Sequence, residues 1–269
     1  MADKPSKSKP GFGAMRVTPT GAVPAAAWKI GPSAETLVKG AAQEMYIDPD
    51  ALDRYEEFTA DMRNILLMYE AAMREMVVRF EILDRDLSLR RNRNPIHHIE
   101  SRIKSPLSIY DKLLRYGKKP TIGNLEKYLM DVAGVRVICS YKNDVKNLMG
   151  LLRRQDDLEI VQVKNYIENP KPNGYRSLHV IVRIPVYFLD SKEMVPVEVQ
   201  IRTIAMDYWA SLEHDLKYKA IAETKGLDVG EELLNCAKTI EEIEARMQVL
   251  ANALDSGPAK NGKKGARNR

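Results

Sequence analysis

Little in this chain points to a covalent or metal framework. Of its 269 residues only two are cysteine, Cys139 and Cys236, and only four are histidine. No Cys/His set has zinc-site spacing. Cys139 sits in the apolar run VRVICS and Cys236 in a helical pattern. Both read as small buried hydrophobes, and a reducing cytoplasm suits them. No apolar run reaches the ~18 residues that a membrane helix requires. The N-terminus lacks the compact apolar stretch of a secretory signal. No G-x-x-x-x-G-K-[ST] loop occurs, which excludes a P-loop enzyme. His97 and His98 have no spaced partner, and His214-Asp215 lacks the upstream histidines of a metal-hydrolase site. No internal repeat is visible.

What is present suits one sizeable domain with helical additions: 44% of residues are hydrophobic. The net charge of +5 is unevenly spread. Residues 1–33 carry five Lys/Arg and one Asp, and residues 256–269 carry five Lys/Arg and no acid. The chain between them holds 32 basic and 36 acidic residues, so the basicity lies in the ends. Both ends are rich in Pro, Gly, Ser and Lys and read as a disordered arm and a disordered basic tail. Such tails either solubilise or make weak contact with RNA or acidic lipid.

Periodicity divides the rest. Residues 34–94 form an N-terminal helical region. Its helix starts at Asp48-Pro49 and carries apolar residues at steps of three and four from Leu52 to about Leu83. At that length it outruns a small domain, so it is either broken or packed against another subunit. A mixed strand-and-helix core spans 95–221. IHHIES is a strand, and Ser105-Pro106 opens a helix. NLEKYLM is a helix, GVRVICSY a strand, and NDVKNLMGLLRRQ a helix capped by Asn143 or Asp144. LEIVQVKNYI is a strand, and SLHVIVRIPVYFL with VPVEVQIRT forms an antiparallel pair. A helix follows over 203–221. The last helix, within 222–255, spaces Leu233, Ala237, Ile240, Ile243 or Glu244, Met247, Leu250 and Leu254 close to a 3.5-residue repeat, a seam for helix packing or oligomer contact.

Three groups of residues carry chemical potential. Residues 101–136 hold eight Lys/Arg against three acids. Arg102 and Lys104 alternate on a strand, while Lys112 and Arg115 share a helix face. They are either a triphosphate clamp beside the helix N-terminus at Ser105 or a solvated basic surface. KPNGYRSLH, residues 171–179, offers Lys171, a turn whose Gly174 admits a ligand close to the backbone, a stacking ring at Tyr175, and His179. His179, in an otherwise apolar strand, taken alone reads as a satisfied core histidine. Asp131 precedes one strand, and Glu198 shares a sheet face with Gln200 on another. Two carboxylates from separate strands either hold Mg²⁺ against phosphates or form salt bridges to nearby Arg.

In order and spacing, RIKSPLSIYDKLLR (102–115), DVAGVRVICSY (131–141), NPKPNGYRSLH (169–179) and VEVQIRTIAMDYWASLEHDLKYK (197–219) resemble the small alarmone synthetases of the RelA/SpoT superfamily. The resemblance implies an α+β fold: a mixed, nucleotidyltransferase-like sheet flanked by a long N-terminal helix and C-terminal helices. It implies transfer of the β,γ-pyrophosphate of ATP to the 3′-hydroxyl of GTP or GDP, without hydrolase activity. It places Arg102, Lys104, Ser108, Lys112, Arg115 and Arg136 on the ATP side. It places Lys171, Asn173, Tyr175, His179 and Gln200 around the acceptor nucleotide. Asp131 and Glu198 fall on Mg²⁺ positions, with Glu198 also accepting the proton of the attacking hydroxyl. A homotetramer is implied as well. Many relatives have Lys-Asp where this chain has Lys164-Asn165, so a negative charge is missing beside the acceptor. The alternatives are the same chemistry on adenine nucleotides or tRNA ends, and a catalytically weak RNA-binding regulator.

Overall fold

The computed structural model describes residues 49–91, 93–220 and 228–255. The arm, the basic tail and the expected helical residues 34–48 lie outside them.

The core is a five-stranded mixed sheet formed by β1 (Ile96–Ile103), β2 (Ala133–Cys139), β3 (Glu159–Asn165), β4 (Leu178–Tyr187) and β5 (Lys192–Thr203). Their spatial order is β1-β2-β5-β4-β3. β2 and β5 run parallel, while the other three pairings are antiparallel. This is the α+β architecture expected of the sequence. The helices are α1 (Pro49–Arg91), α2 (Pro106–Arg115), α3 (Ile122–Tyr128), α4 (Lys142–Leu152), α5 (Ile204–Ala220) and α6 (Val229–Asp255).

Period-two alternation gives the sheet two unlike faces. Val135, Val137, Val180, Val182, Val197, Val199 and Ile201 point to one face and are buried there. α1 covers that face with Phe58, Met62, Ile65, Tyr69, Ala72, Met76 and Phe80, an apolar stripe at helical spacing. The opposite face carries the polar members of the same strands. In one cross-strand row Glu100, Arg136, Gln200, His179 and Lys164 stand side by side across all five strands. The neighbouring row holds Arg102, Gly134 and Glu198.

Several expectations change. The first helix runs unbroken for 43 residues, past Leu83 to Arg91. Its last turns persist because Leu87 is buried and Asp84 Oδ1 accepts the backbone N–H of Ile96 at 3.2 Å. Neither Asn143 nor Asp144 caps α4, whose N-cap is Tyr141 without a side-chain bond. Asp144 is instead fully buried and receives both terminal nitrogens of Arg93, at 2.8 and 2.9 Å. The Asn143 N–H is satisfied from outside the helix, by Gln248 Oε1 at 3.1 Å. The α6 seam divides. Leu233, Ala237 and Glu244 turn inward, but Ile243, Met247, Leu250 and Leu254 are exposed. Cys139 is buried as expected, and burial raises its thiol pKa. Cys236 is exposed, because its neighbour Ala237 takes the inward position. Among the described residues no helix is long and apolar enough to cross a membrane.

Candidate active site

The helix start at Ser105-Pro106 forms as expected. Ser105 is the N-cap, and its hydroxyl accepts the Ser108 N–H at 3.3 Å. The two hydroxyls are 2.9 Å apart, so Ser108 belongs to the cap at the mouth of the basic stretch. Capping sets the direction of α2, which aims Lys112 at the start of β2. There, Asp131 Oδ2 accepts Lys104 Nζ at 2.5 Å and Lys112 Nζ at 2.6 Å. Burial pushes the Asp131 carboxyl up, but the two ammonium groups outweigh it and hold its pKa below the ordinary value. Burial pulls Lys104 below its usual pKa, and its neighbour Lys112 adds to this. Lys112 is also disfavoured by burial, but Asp131 prevails and its pKa rises. Among the described residues, Asp131 Oδ1 is buried without a hydrogen-bond partner. Arg115 stays exposed in the last turn of α2 and is not drawn into this pairing.

The two sheet-face arginines flank this cluster. Arg102 lies across Gly134, where a Cβ would sit 3.7 Å from Arg102 Cγ. Arg136 Nη1 bonds Glu100 Oε2 at 2.9 Å and lies 3.9 Å from Asp207 Oδ1. His98 also binds Glu100, and with Arg136 it keeps the Glu100 pKa low.

The acceptor-side candidates form a closed ring of hydrogen bonds. The Tyr175 hydroxyl is 2.8 Å from His179 Nε2, and His179 Nδ1 is 3.1 Å from Glu198 Oε1. Gln200 Nε2 donates to Glu198 Oε2 at 2.9 Å. Arg202 Nη2 closes the ring on Tyr175 Oη at 2.7 Å and Gln200 Oε1 at 3.1 Å. His179 is therefore a satisfied histidine within the polar face, not within the apolar core. Burial and the Asp131 charge push Glu198 up, but its bonds from His179 and Gln200 keep its pKa below the ordinary carboxylate value. Lys171 Nζ sits 4.9 Å from the Tyr166 ring centre and 4.6 Å from that of Tyr175.

Two readings of the turn change. Gly174 has φ +90°, and a Cβ there would lie 2.6 Å from Ala237 Cβ. Glycine is required here by the positive φ and by the approach of α6. Asn173 faces inward to the protein: its Nδ2 donates to Glu213 Oε1 at 3.0 Å and its Oδ1 accepts the Tyr175 N–H. Asn165 pairs with Leu178 in the apolar register while Lys164 pairs with His179. Its Oδ1 accepts the N–H groups of Ile167 and Glu168, ending β3 in a turn. The missing negative charge thus falls at a turn position, out of register with the polar row.

Sequence reasoning missed Arg202, Asp207, Glu100 and Tyr166. Arg202 was within reach of it, since it follows Gln200 at the same period of two that pairs Gln200 with Glu198.

A family model described as a region found in RelA/SpoT proteins matches residues 101–223, a span holding every candidate named above. The GTP pyrophosphokinase YwaC of Bacillus subtilis is 40% identical over 204 residues, 76% of this chain and 97% of that protein. The chain belongs to the RelA/SpoT family. Solved structures agree with this RelA/SpoT assignment. Small alarmone synthetase 2 from Bacillus subtilis superposes with TM-score 0.63 at 41% identity, covering 71% of this chain and 98% of that one. Small alarmone synthetase 1 from the same organism, bound to its product pppGpp, gives TM-score 0.64 at 27% identity and covers 71% and 97%.

Proposed function

We propose that this chain is a GTP pyrophosphokinase that moves the β,γ-pyrophosphate of ATP to the 3′-hydroxyl of GTP or GDP. One observation carries the reading: a lysine-bound carboxylate just before β2, Asp131, lies within electrostatic reach of a histidine-bound carboxylate on β5, Glu198. The first is held by the basic stretch and the second by the ring that includes Tyr175 and His179.

Each group suits one nucleotide. Lys104, Lys112 and the exposed Arg115 offer charge to a triphosphate, and the planar guanidinium groups of Arg102 and Arg136 suit the face of adenine. Tyr175 offers a ring to guanine, which takes the place of Lys171 on it. The free Oδ1 of Asp131 fits a hard cation. Among the described residues no three His, Cys, Asp or Glu side chains converge to grip a metal alone. Asp131 and Glu198 would therefore hold Mg²⁺ together with substrate phosphates, where it supplies charge neutralisation for the moving pyrophosphate.

The chain's own residues do the rest. Glu198, held ionised, accepts the proton of the 3′-hydroxyl. The 3′-oxygen bonds to the β-phosphorus of ATP, the bond from that phosphorus to the bridging oxygen breaks, and AMP leaves with the oxygen. Lys104, Lys112 and Arg115 balance charge as it shifts. We further propose a cytoplasmic homotetramer, supported by two free cysteines and by the exposed stripe Ile243, Met247, Leu250 and Leu254 on α6.

The test is incubation with ATP, Mg²⁺ and each of GTP, GDP, GMP and ADP, with the nucleotides separated by chromatography. AMP and a guanosine 3′-pyrophosphate are expected with GTP or GDP. Consumption of ATP with ADP alone, or salt-sensitive RNA binding without AMP release, would overturn the reading.

A further inference from the structure

Two glycines border the site, and the fold requires only one of them. Gly174 has a positive φ and lies against Ala237. Gly134 has neither constraint. It sits inside β2, and its φ is not positive. A Cβ there would meet only Arg102, at 3.7 Å from Cγ, 3.8 Å from the carbonyl oxygen and 4.0 Å from Nε, all ordinary contact distances. Glycine inside a strand loses more chain entropy than other residues and packs no side chain, so it weakens the strand. Among the described residues nothing crowds the position enough to demand that loss. The remaining reason for a bare strand position is the close approach of a ligand.

The neighbours of Gly134 say which ligand. Arg102, Gly134 and Glu198 form one cross-strand row over β1, β2 and β5. With strands ~4.8 Å apart, Arg102 and Glu198 start about 10 Å from each other, and the strand between them contributes no side chain. Arg136 follows two residues on along β2, on the same face. In the other direction Lys104 donates its backbone N–H to the Val132 carbonyl at 2.8 Å, and its Nζ meets Asp131. Gly134 is thus bordered by the two arginines that suit adenine, by the lysine and carboxylate that suit phosphates and Mg²⁺, and by the proton acceptor of the transfer step. We propose that Gly134 is the floor of the donor site: the ribose and α-phosphate of ATP cross β2 directly on its backbone. A side chain there lifts the donor off the sheet and carries its β-phosphorus away from the hydroxyl that Glu198 activates. This deepens the pyrophosphokinase reading and rests on it.

The test is Gly134→Ala in the full chain, read by thermal unfolding, by calorimetry with α,β-methylene ATP and Mg²⁺, and by steady-state kinetics. The melting temperature should hold or rise, since glycine is the poorer residue inside a strand. Binding of the analogue should weaken about 10–100-fold, and kcat/KM for ATP should fall at least as far, while the KM of the acceptor changes little. Gly134→Val, whose branched side chain suits a strand better still, should abolish analogue binding while the chain stays folded. Undiminished binding of the analogue by folded Gly134→Ala overturns the proposal. So does a fall in melting temperature that accompanies the loss of binding, because the glycine then serves the fold. So does a larger rise in the KM of the acceptor than in that of ATP, which puts the other nucleotide on this floor. If the unaltered chain binds the analogue but makes no guanosine 3′-pyrophosphate, the transfer reading fails, and calorimetry still decides what lies on Gly134. An unaltered chain that does not bind the analogue overturns both.

Discussion

Asp131 accepts two ammonium groups on one oxygen and none on the other. Two lysines share that small space only while a negative charge sits between them. Asp131→Asn should abolish transfer and lower stability by about 1–3 kcal/mol, the cost of partly buried groups losing a charged partner, as read by thermal unfolding. The pH dependence follows from the same contacts. Asp131 and Glu198 both titrate below their ordinary values. A carboxylate whose folded pKa is depressed adds stability above its unfolded pKa, near 4, and loses it as pH falls through the lower folded value. The melting temperature should therefore fall below about pH 4, and Asp131→Asn should flatten part of that fall. Glu198→Gln keeps the shape and removes the proton acceptor. It should cut kcat by about 10²–10⁴-fold while nucleotide binding, measured by calorimetry, stays near normal.

At the scale of elements, the acceptor turn is held from behind by α6. Gly174 meets Ala237, Trp209 Nε1 donates to the Leu233 carbonyl, and Arg176 pairs with Glu241. Gly174→Ala adds a Cβ at positive φ into that contact and should cost about 1–3 kcal/mol. Pairing it with Ala237→Gly relieves the clash but not the backbone strain. Denaturant unfolding should then show the double variant less destabilised than the two single losses combined. The same region marks what the sequence makes legible. Strands and helices announce themselves through periods of 2 and 3.6, because burial of one face is a local pattern. Ser105-Pro106 is legible because a cap is a local contact. The α4 cap was not, since Asp144 answers to Arg93 and the Asn143 N–H to Gln248, partners set by packing. Gly174 was read for the wrong partner for the same reason: what crowds it is more than sixty residues away in the chain, at Ala237. The site residues themselves came from four ordered segments, and Arg202, at the period of two that follows Gln200, was legible in the last of them.

At the scale of the molecule, an apolar stripe on α6 is uncovered among the described residues. Met247 is 55%, Leu250 59% and Leu254 81% exposed along α6. Light scattering at micromolar concentration should give the mass of a tetramer, and Leu250→Asp with Leu254→Asp should reduce it, since charge in an apolar contact is costly. The order of the strands bears on how the enzyme comes into being. β5, the last of the described strands, lies in the middle of the sheet between β2 and β4. Until residues up to Thr203 leave the ribosome, β2 and β4 each present an open inner edge, and Asp131 has no Glu198 to face. A chain arrested before that point is left with two unpaired edges, a form prone to aggregate and to be cleared by proteases. Late insertion of its central strand therefore ties alarmone synthesis to completion of the sheet: a product of translation interrupted before β5 lacks Glu198 and cannot make the nucleotide.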